Sequence, residues 1–103
     1  MSYEYLSLEE YEKKFGKLKK SAIGIDRDIL PNERETSIIM DDESDDALIF
    51  SAQKAIVKKL LFDIKGFKLD DDGICVKNGK VVSVSGVLPK DYLKFYSKKK
   101  NGN

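Results

Sequence analysis

Asn78-Gly79 stands between two short runs rich in β-branched residues, Ile74-Cys75-Val76-Lys77 and Lys80-Val81-Val82-Ser83-Val84. A two-residue type I′ turn needs positive φ at both central positions. Asn-Gly supplies both with little strain, so the segment spells a tight β-hairpin. The chain is thereby committed to an antiparallel sheet. Asp71-Asp72-Gly73, just ahead of the hairpin, reads as a turn.

The cover for that sheet is expected from the apolar run ending at Ile64. On a helical wheel Ile49, Phe50, Ile56, Val57, Leu60, Leu61 and Ile64 fill one broad arc. Leu48, Ala52, Ala55 and Phe62 occupy much of the rest, and only Ser51, Lys54, Lys58 and Lys65 form a continuous polar stripe. A helix apolar over most of its circumference is buried on several sides. Gly66 is a natural stop for it. This second helix is expected to lie between the sheet and another helix.

Near the start, Ser7-Leu8-Glu9-Glu10 matches a capping box, with Ser7 as N-cap and Glu10 reaching back. Leu6 and Tyr11 complete a hydrophobic staple. Leu8, Tyr11, Phe15 and Leu18 form a narrow apolar stripe, so a first helix is expected from Leu8 to about Lys20, weakened by Gly16. Residues 21–31 lack a clear period, and Pro31-Asn32 marks a turn. Arg34 to Met40 reads as a short strand halted by Asp41-Asp42-Glu43-Ser44-Asp45-Asp46. Pro89 suits the first position of a last helix running to Ser97. The expected architecture is α+β, in the order α-β-α-β-β-α, with about three antiparallel strands packed on a central apolar helix. Residues 1–97 form one compact domain in this reading, and 98–103 form a basic, frayed C-terminal tail.

Composition narrows the chemistry. Of 103 residues, 41% are hydrophobic and 36% charged, and 19 Lys+Arg against 18 Asp+Glu leave a net charge of +1. Such a balance exerts no global pull toward nucleic acid or membrane. With no His and one Cys, an imidazole base, a disulfide framework and a Cys/His zinc site are excluded. Cys75 alone fits a reducing compartment and the role of a small buried hydrophobe. Met1 to Tyr5 lacks a signal-peptide pattern, and charges interrupt the long apolar run, so neither export nor membrane insertion is expected. The expected location is the cytoplasm, that of a host if the chain is viral.

No catalytic pattern emerges. Gly16-Lys17 lacks the upstream glycine and following Ser/Thr of a phosphate loop. Nucleophilic Ser or Cys chemistry has no partner base. The expectation is a protein without enzymatic activity and without cofactors. Two acidic clusters, 41–46 and 70–72, crowd oxygen ligands but do not follow the alternating spacing of a calcium loop. Asp45 and Asp46 are expected in the first turn of the second helix, where negative charge meets the positive end of the helix dipole. Charge is nonetheless segregated. Residues 21–46 hold two Arg and nine acids, a net of −7, while the rest carries +8.

Three functions follow as expectations. The first is a small intracellular protein-binding module that inhibits or modulates a partner by covering its surface, with Asp41, Asp42, Glu43, Asp45 and Asp46 as the contact. The second is sequence-nonspecific nucleic-acid binding through Lys13, Lys17, Lys20, Lys94, Lys98, Lys99 and Lys100, since lysines neutralise phosphates. Tyr92, Leu93, Phe95 and Tyr96 are expected to pack on the core rather than stack on bases. The third is a small structural subunit of a virion or other assembly. In size and in its Lys, Ile and Asp usage the chain resembles accessory proteins of phages and mobile elements.

Overall fold

The computed structural model describes residues 2–40 and 42–93. Its strands are β1 (Glu4–Leu6), β2 (Thr36–Ile39), β3 (Asp46–Ser51), β4 (Lys68–Lys77) and β5 (Lys80–Pro89). They form one antiparallel sheet in the order β1-β4-β5-β3-β2. Helix α1 (Leu8–Phe15) follows β1, and α2 (Lys54–Lys58) follows β3, continuing as a π-helical turn, Lys59–Asp63. The mixed α+β class agrees with the sequence reading. The strand count and order are corrected to five strands in the sequence β-α-β-β-α-β-β.

The hairpin forms where Asn-Gly puts it. Asn78 and Gly79 have φ of 55° and 78°, and Lys77 pairs with Lys80. The capping box is also present: Ser7 Oγ accepts from Glu10 N–H at 3.0 Å, and Glu10 Oε1 accepts from Ser7 N–H at 2.9 Å. Helix α1 stops at Phe15, however, because Gly16 leaves helical geometry with φ 87°. Short 3₁₀ turns at Lys20–Ala22 and Pro31–Glu33 fill the irregular stretch, and Ile23 forms a parallel bridge with Val81.

The largest correction concerns the expected second helix. Its first third is strand β3, so Asp46 opens a strand and Asp45 precedes it; neither lies in a helical first turn. Ala47, Ile49 and Ser51 point inward while Asp46, Leu48 and Phe50 point out, a period of two. A continuous apolar run fits either period, and pairing with β2 and β5 on both sides decides for the strand. Ser51 then ends it. Its buried hydroxyl contacts Thr36 Oγ1 at 2.7 Å and accepts from Gln53 N–H at 3.1 Å, which turns the chain into α2.

Asp70-Asp71-Asp72-Gly73 does not reverse the chain either. The register passes from Leu69↔Gly86 to Ile74↔Val84, leaving these residues as an outward bulge within β4 opposite Ser85. Gly73 is required there, since a Cβ would collide with the Ser85 carbonyl. Pro89 caps only a 3₁₀ turn, Lys90–Tyr92, which ends at the buried Leu93, and residues 94–97 of the expected last helix lie outside the described residues.

Both helices contribute to one core. Tyr11, Val57 and Leu60 pack with Ala47, Ile49, Ile74, Val76, Val81, Val84 and Leu88. The opposite face of the sheet carries no α-helix among the described residues. Among the described residues no helix is long and apolar enough to cross a membrane.

Candidate binding surface

The helix-free face has two unlike halves. Over β1, β4 and the hairpin end of β5, the segment following Ile23 folds back across the sheet. Asp26 and Lys77, each only 6% exposed, form an ion pair of 3.0 Å, and Asp28 meets the same ammonium. The Tyr3 hydroxyl donates to Asp26, and the Lys77 Nζ lies 4.8 Å from the Tyr3 ring centre. Arg34 fastens the segment from behind, donating to the Asp26 and Ile29 carbonyls at 3.3 and 3.2 Å.

These contacts set the protonation states. The Tyr3 hydroxyl, then the Lys77 ammonium, hold the Asp26 carboxyl below its ordinary range against the opposing effect of burial. Asp28 and Asp26 raise Lys77 despite burial, and the Asp26 carboxylate raises Tyr3. Cys75, buried beside this cluster, is raised by desolvation, so its thiol is a poor nucleophile. A small cavity of about 190 Å³ between residues 25–28 and the hairpin is lined by Asp26, Asp28, Lys77 and Lys80. Asp26, Asp28 and Lys77 already pair with one another there, and Lys80 donates to the Ser21 carbonyl at 3.0 Å. The arrangement is a latch that closes this half of the face.

Among the described residues the other half is bare. Ile39, Leu48 and Val87 face one another across β2, β3 and β5, with Lys68 of β4 completing the row. Phe50 stands in the next row between Ser37 and Ser85. Ile39 is 62% exposed, Leu48 52% and Phe50 41%. A shallow depression of about 140 Å³ runs among Ser37, Ile39, Leu48 and Phe50 to Asp70 and Ser85. Acids frame it on two sides. Asp46 shares the outer face of β3 with Leu48 and Phe50, and the Asp70–Asp72 bulge rises beside β4.

The structure places the acidic residues singled out from sequence as follows. Asp42, Glu43 and Asp45 are exposed in the β2–β3 connection, and Asp46 starts β3, so all four border the bare half; Asp41 lies outside the described residues. The Asp45 carbonyl accepts from Lys90 N–H at 3.0 Å, and Ser44 Oγ accepts from Asp46 N–H at 3.0 Å, fixing the connection. Among the described residues no group of three or more Asp, Glu, Cys or His side chains converges as a metal site.

The lysines are not brought together to the same degree. Lys13 pairs with Glu9 at 3.9 Å on α1, Lys17 is exposed beyond the helix, and Lys20 Nζ lies 6.0 Å from the Phe62 ring centre. Lys94, Lys98, Lys99 and Lys100 lie outside the described residues. A larger groove, about 560 Å³, separates α1 from the π-helical turn and is lined by Leu8, Leu18, Leu61, Phe62, Ile64 and Phe67. Sequence reasoning missed Ile39, Leu48 and Phe50 as surface residues, because the last two were placed in a helix. The alternation Ala47, Ile49, Ser51 against Asp46, Leu48, Phe50 was the available signal. No known protein family matches the chain, and neither curated proteins nor solved structures give a match.

Proposed function

We propose that this chain is a small non-enzymatic protein-binding module that modulates its partner by covering part of the partner's surface. The contact is the bare half-face of β2, β3 and β5 together with the acidic residues that frame it. One observation carries the reading: Ile39, Leu48 and Phe50 lie exposed on adjoining strands, aligned by the sheet register. An apolar patch rimmed by polar groups is the usual form of a protein-interaction site. Of the eight described acids in residues 21–46, six lie outside the Asp26–Asp28–Lys77 latch. A partner with a basic rim around an apolar centre complements this surface, and the charges set its on-rate and specificity.

The test is affinity capture from the source cell with nuclease present, comparing wild type with Leu48→Ser/Phe50→Ser and with Asp42→Lys/Asp45→Lys/Asp46→Lys. A stoichiometric protein partner lost with both variants supports the reading. Retention of that partner by both variants moves the contact elsewhere. A preparation that carries nucleic acid and loses it steeply with salt transfers the function to the lysines.

A further inference from the structure

Strand β2 is the terminal strand of the sheet, and its outer edge is paired with no strand among the described residues. Resting on the protein-binding reading above, we infer that this edge takes up an extended segment of the partner as a sixth, antiparallel strand, and that the segment has a β-branched centre and Lys or Arg at both ends.

The backbone identifies the vacant groups. Ala52 N–H donates to the Glu35 carbonyl at 2.9 Å. In an antiparallel ladder, hydrogen-bonded and non-bonded pairs alternate. Ser37 and Ile39 therefore bond to β3, while Thr36 and Ile38 direct their N–H and C=O groups outward. Side chains prepare both sides of that edge, with Ile39 exposed on the outer face and Ile38 39% exposed on the inner one.

Exposed edges invite pairing, and proteins ordinarily blunt them with lysine, proline or a covering element. The other edge of this sheet is blunted in this way. β1 has three residues, runs directly into α1, and Glu4 is paired with Lys14. β2, four residues long, carries no lysine, proline or covering element among the described residues: no lysine occurs between Lys20 and Lys54, and Pro31 lies well before the strand.

Charge selects the occupant. Glu33 and Glu35 precede β2, and Asp41, Asp42 and Glu43 follow it. In an antiparallel pair of two β2 strands from two copies, the acids ahead of one strand face the acids behind the other. Arg34, the cation nearest to β2 in sequence, is turned back onto the Asp26 and Ile29 carbonyls. Self-pairing is therefore repulsive at both ends. A segment with cations at both ends is attracted at both. This is strand addition, in which main-chain bonds give affinity and alternate side chains give selectivity.

The probe is a labelled synthetic peptide with an alternating Val/Thr centre and lysines at both ends, followed by fluorescence anisotropy at low salt. The expected result is saturable binding, with slowed hydrogen exchange at the Thr36 and Ile38 amides and at least a tenfold loss of affinity in Ile38→Pro. That substitution removes an outward donor and leaves the β2–β3 ladder intact. Ile38→Val keeps the donor and keeps binding. Ile39→Lys places a blunting charge beside the edge and loses binding even if Ile38→Pro fails to fold. Absence of binding, equal binding of the same peptide ended in glutamates, or binding without protection of the two amides overturns the inference. A wild-type dimer in sedimentation that Ile38→Pro dissolves assigns the edge to a second copy and overturns it too. A captured partner lost with Leu48→Ser/Phe50→Ser but kept by Ile38→Pro removes strand addition and leaves the protein-binding reading standing.

Discussion

The two halves of the helix-free face are built from the same strands and finished in opposite ways. Over β4 and the hairpin, the chain uses residues 25–34 as a cover, and three charged side chains and a tyrosine settle their polar demands within it. Over β2 and β3 no described residue forms a cover, and Leu48, Phe50 and Ile39 are exposed. Folding alone accounts for the first half, since burying a charge requires a partner charge and hydrogen bonds. It does not account for the second, where polar residues would be as compatible with a solvated sheet face. The contrast separates what the sheet needs for stability from what it leaves free for contact.

The covered half is where substitution is most destructive. Lys77→Met leaves the Asp26 carboxylate enclosed without its cation, and removing one member of a buried pair is among the most damaging single changes. The expected result is the largest fall in thermal midpoint of the variants considered, with Cys75 becoming rapidly reactive toward a thiol reagent. Asp26→Asn added to Lys77→Met restores part of the loss. Unchanged thiol protection in Lys77→Met breaks the comparison, because the cover then stays closed without the latch.

pH acts on the same latch from both sides. Asp26 titrates below its ordinary 3.8 in the folded chain, so its contribution is present above that value and is lost as acid protonates the folded carboxyl. Lys77 and Tyr3 titrate above their ordinary 10.5 and 10.0. Their contributions are complete below those values and are lost as pH rises through the folded ones. Thermal melts are expected to show a plateau between about pH 4 and 10 that declines on both sides. In Asp26→Asn/Lys77→Met both declines are shallower. Identical profiles for wild type and the double variant place the pH dependence elsewhere.

A smaller effect belongs to the turn that positions Lys77. Gly79 has φ 78°, a region costing an L-residue roughly 1–2 kcal/mol. Gly79→Ala is expected to lower stability by about that amount in chemical denaturation, with an unchanged denaturant slope. Stability equal to wild type means the turn relaxes without disturbing the latch.

This turn and the Ser7 cap were legible because their chemistry is local: two or four adjacent residues suffice. β1 was missed since Glu4-Tyr5-Leu6 is too short to show a period, and its pairing with Val76, Cys75 and Ile74 lies far along the chain. β3 was misread because Leu48, Ile49 and Phe50 run together, so the inward set emerges only once β2 and β5 flank it. The latch was invisible for the same reason, with 51 positions separating Asp26 from Lys77. The acidic segment 41–46 stands out in the sequence, but Asp45 and Asp46 are expected there in a helical first turn and instead precede and open β3. The apolar centre that the segment borders then went unseen, since the same misreading buried Leu48 and Phe50.

The smallest effect on stability is expected on the bare half, and it is the most informative. Leu48 and Phe50 keep about half their surface in water, so Leu48→Thr and Phe50→Thr forfeit little buried area, and threonine suits a strand. Stability is expected to stay within about 0.5 kcal/mol of wild type. Partner capture is expected to fall at least tenfold in the paired variant. These outcomes together separate contact from folding: residues that contribute nothing measurable to the isolated chain yet control its association are interface residues. A clear loss of stability instead makes the patch part of the fold and closes the difference between the two halves. Unchanged stability with unchanged binding leaves the difference intact and shifts attention to the groove between α1 and the π-helical turn, where Leu8 and Phe62 stand beside Glu9, Lys65 and Asp71.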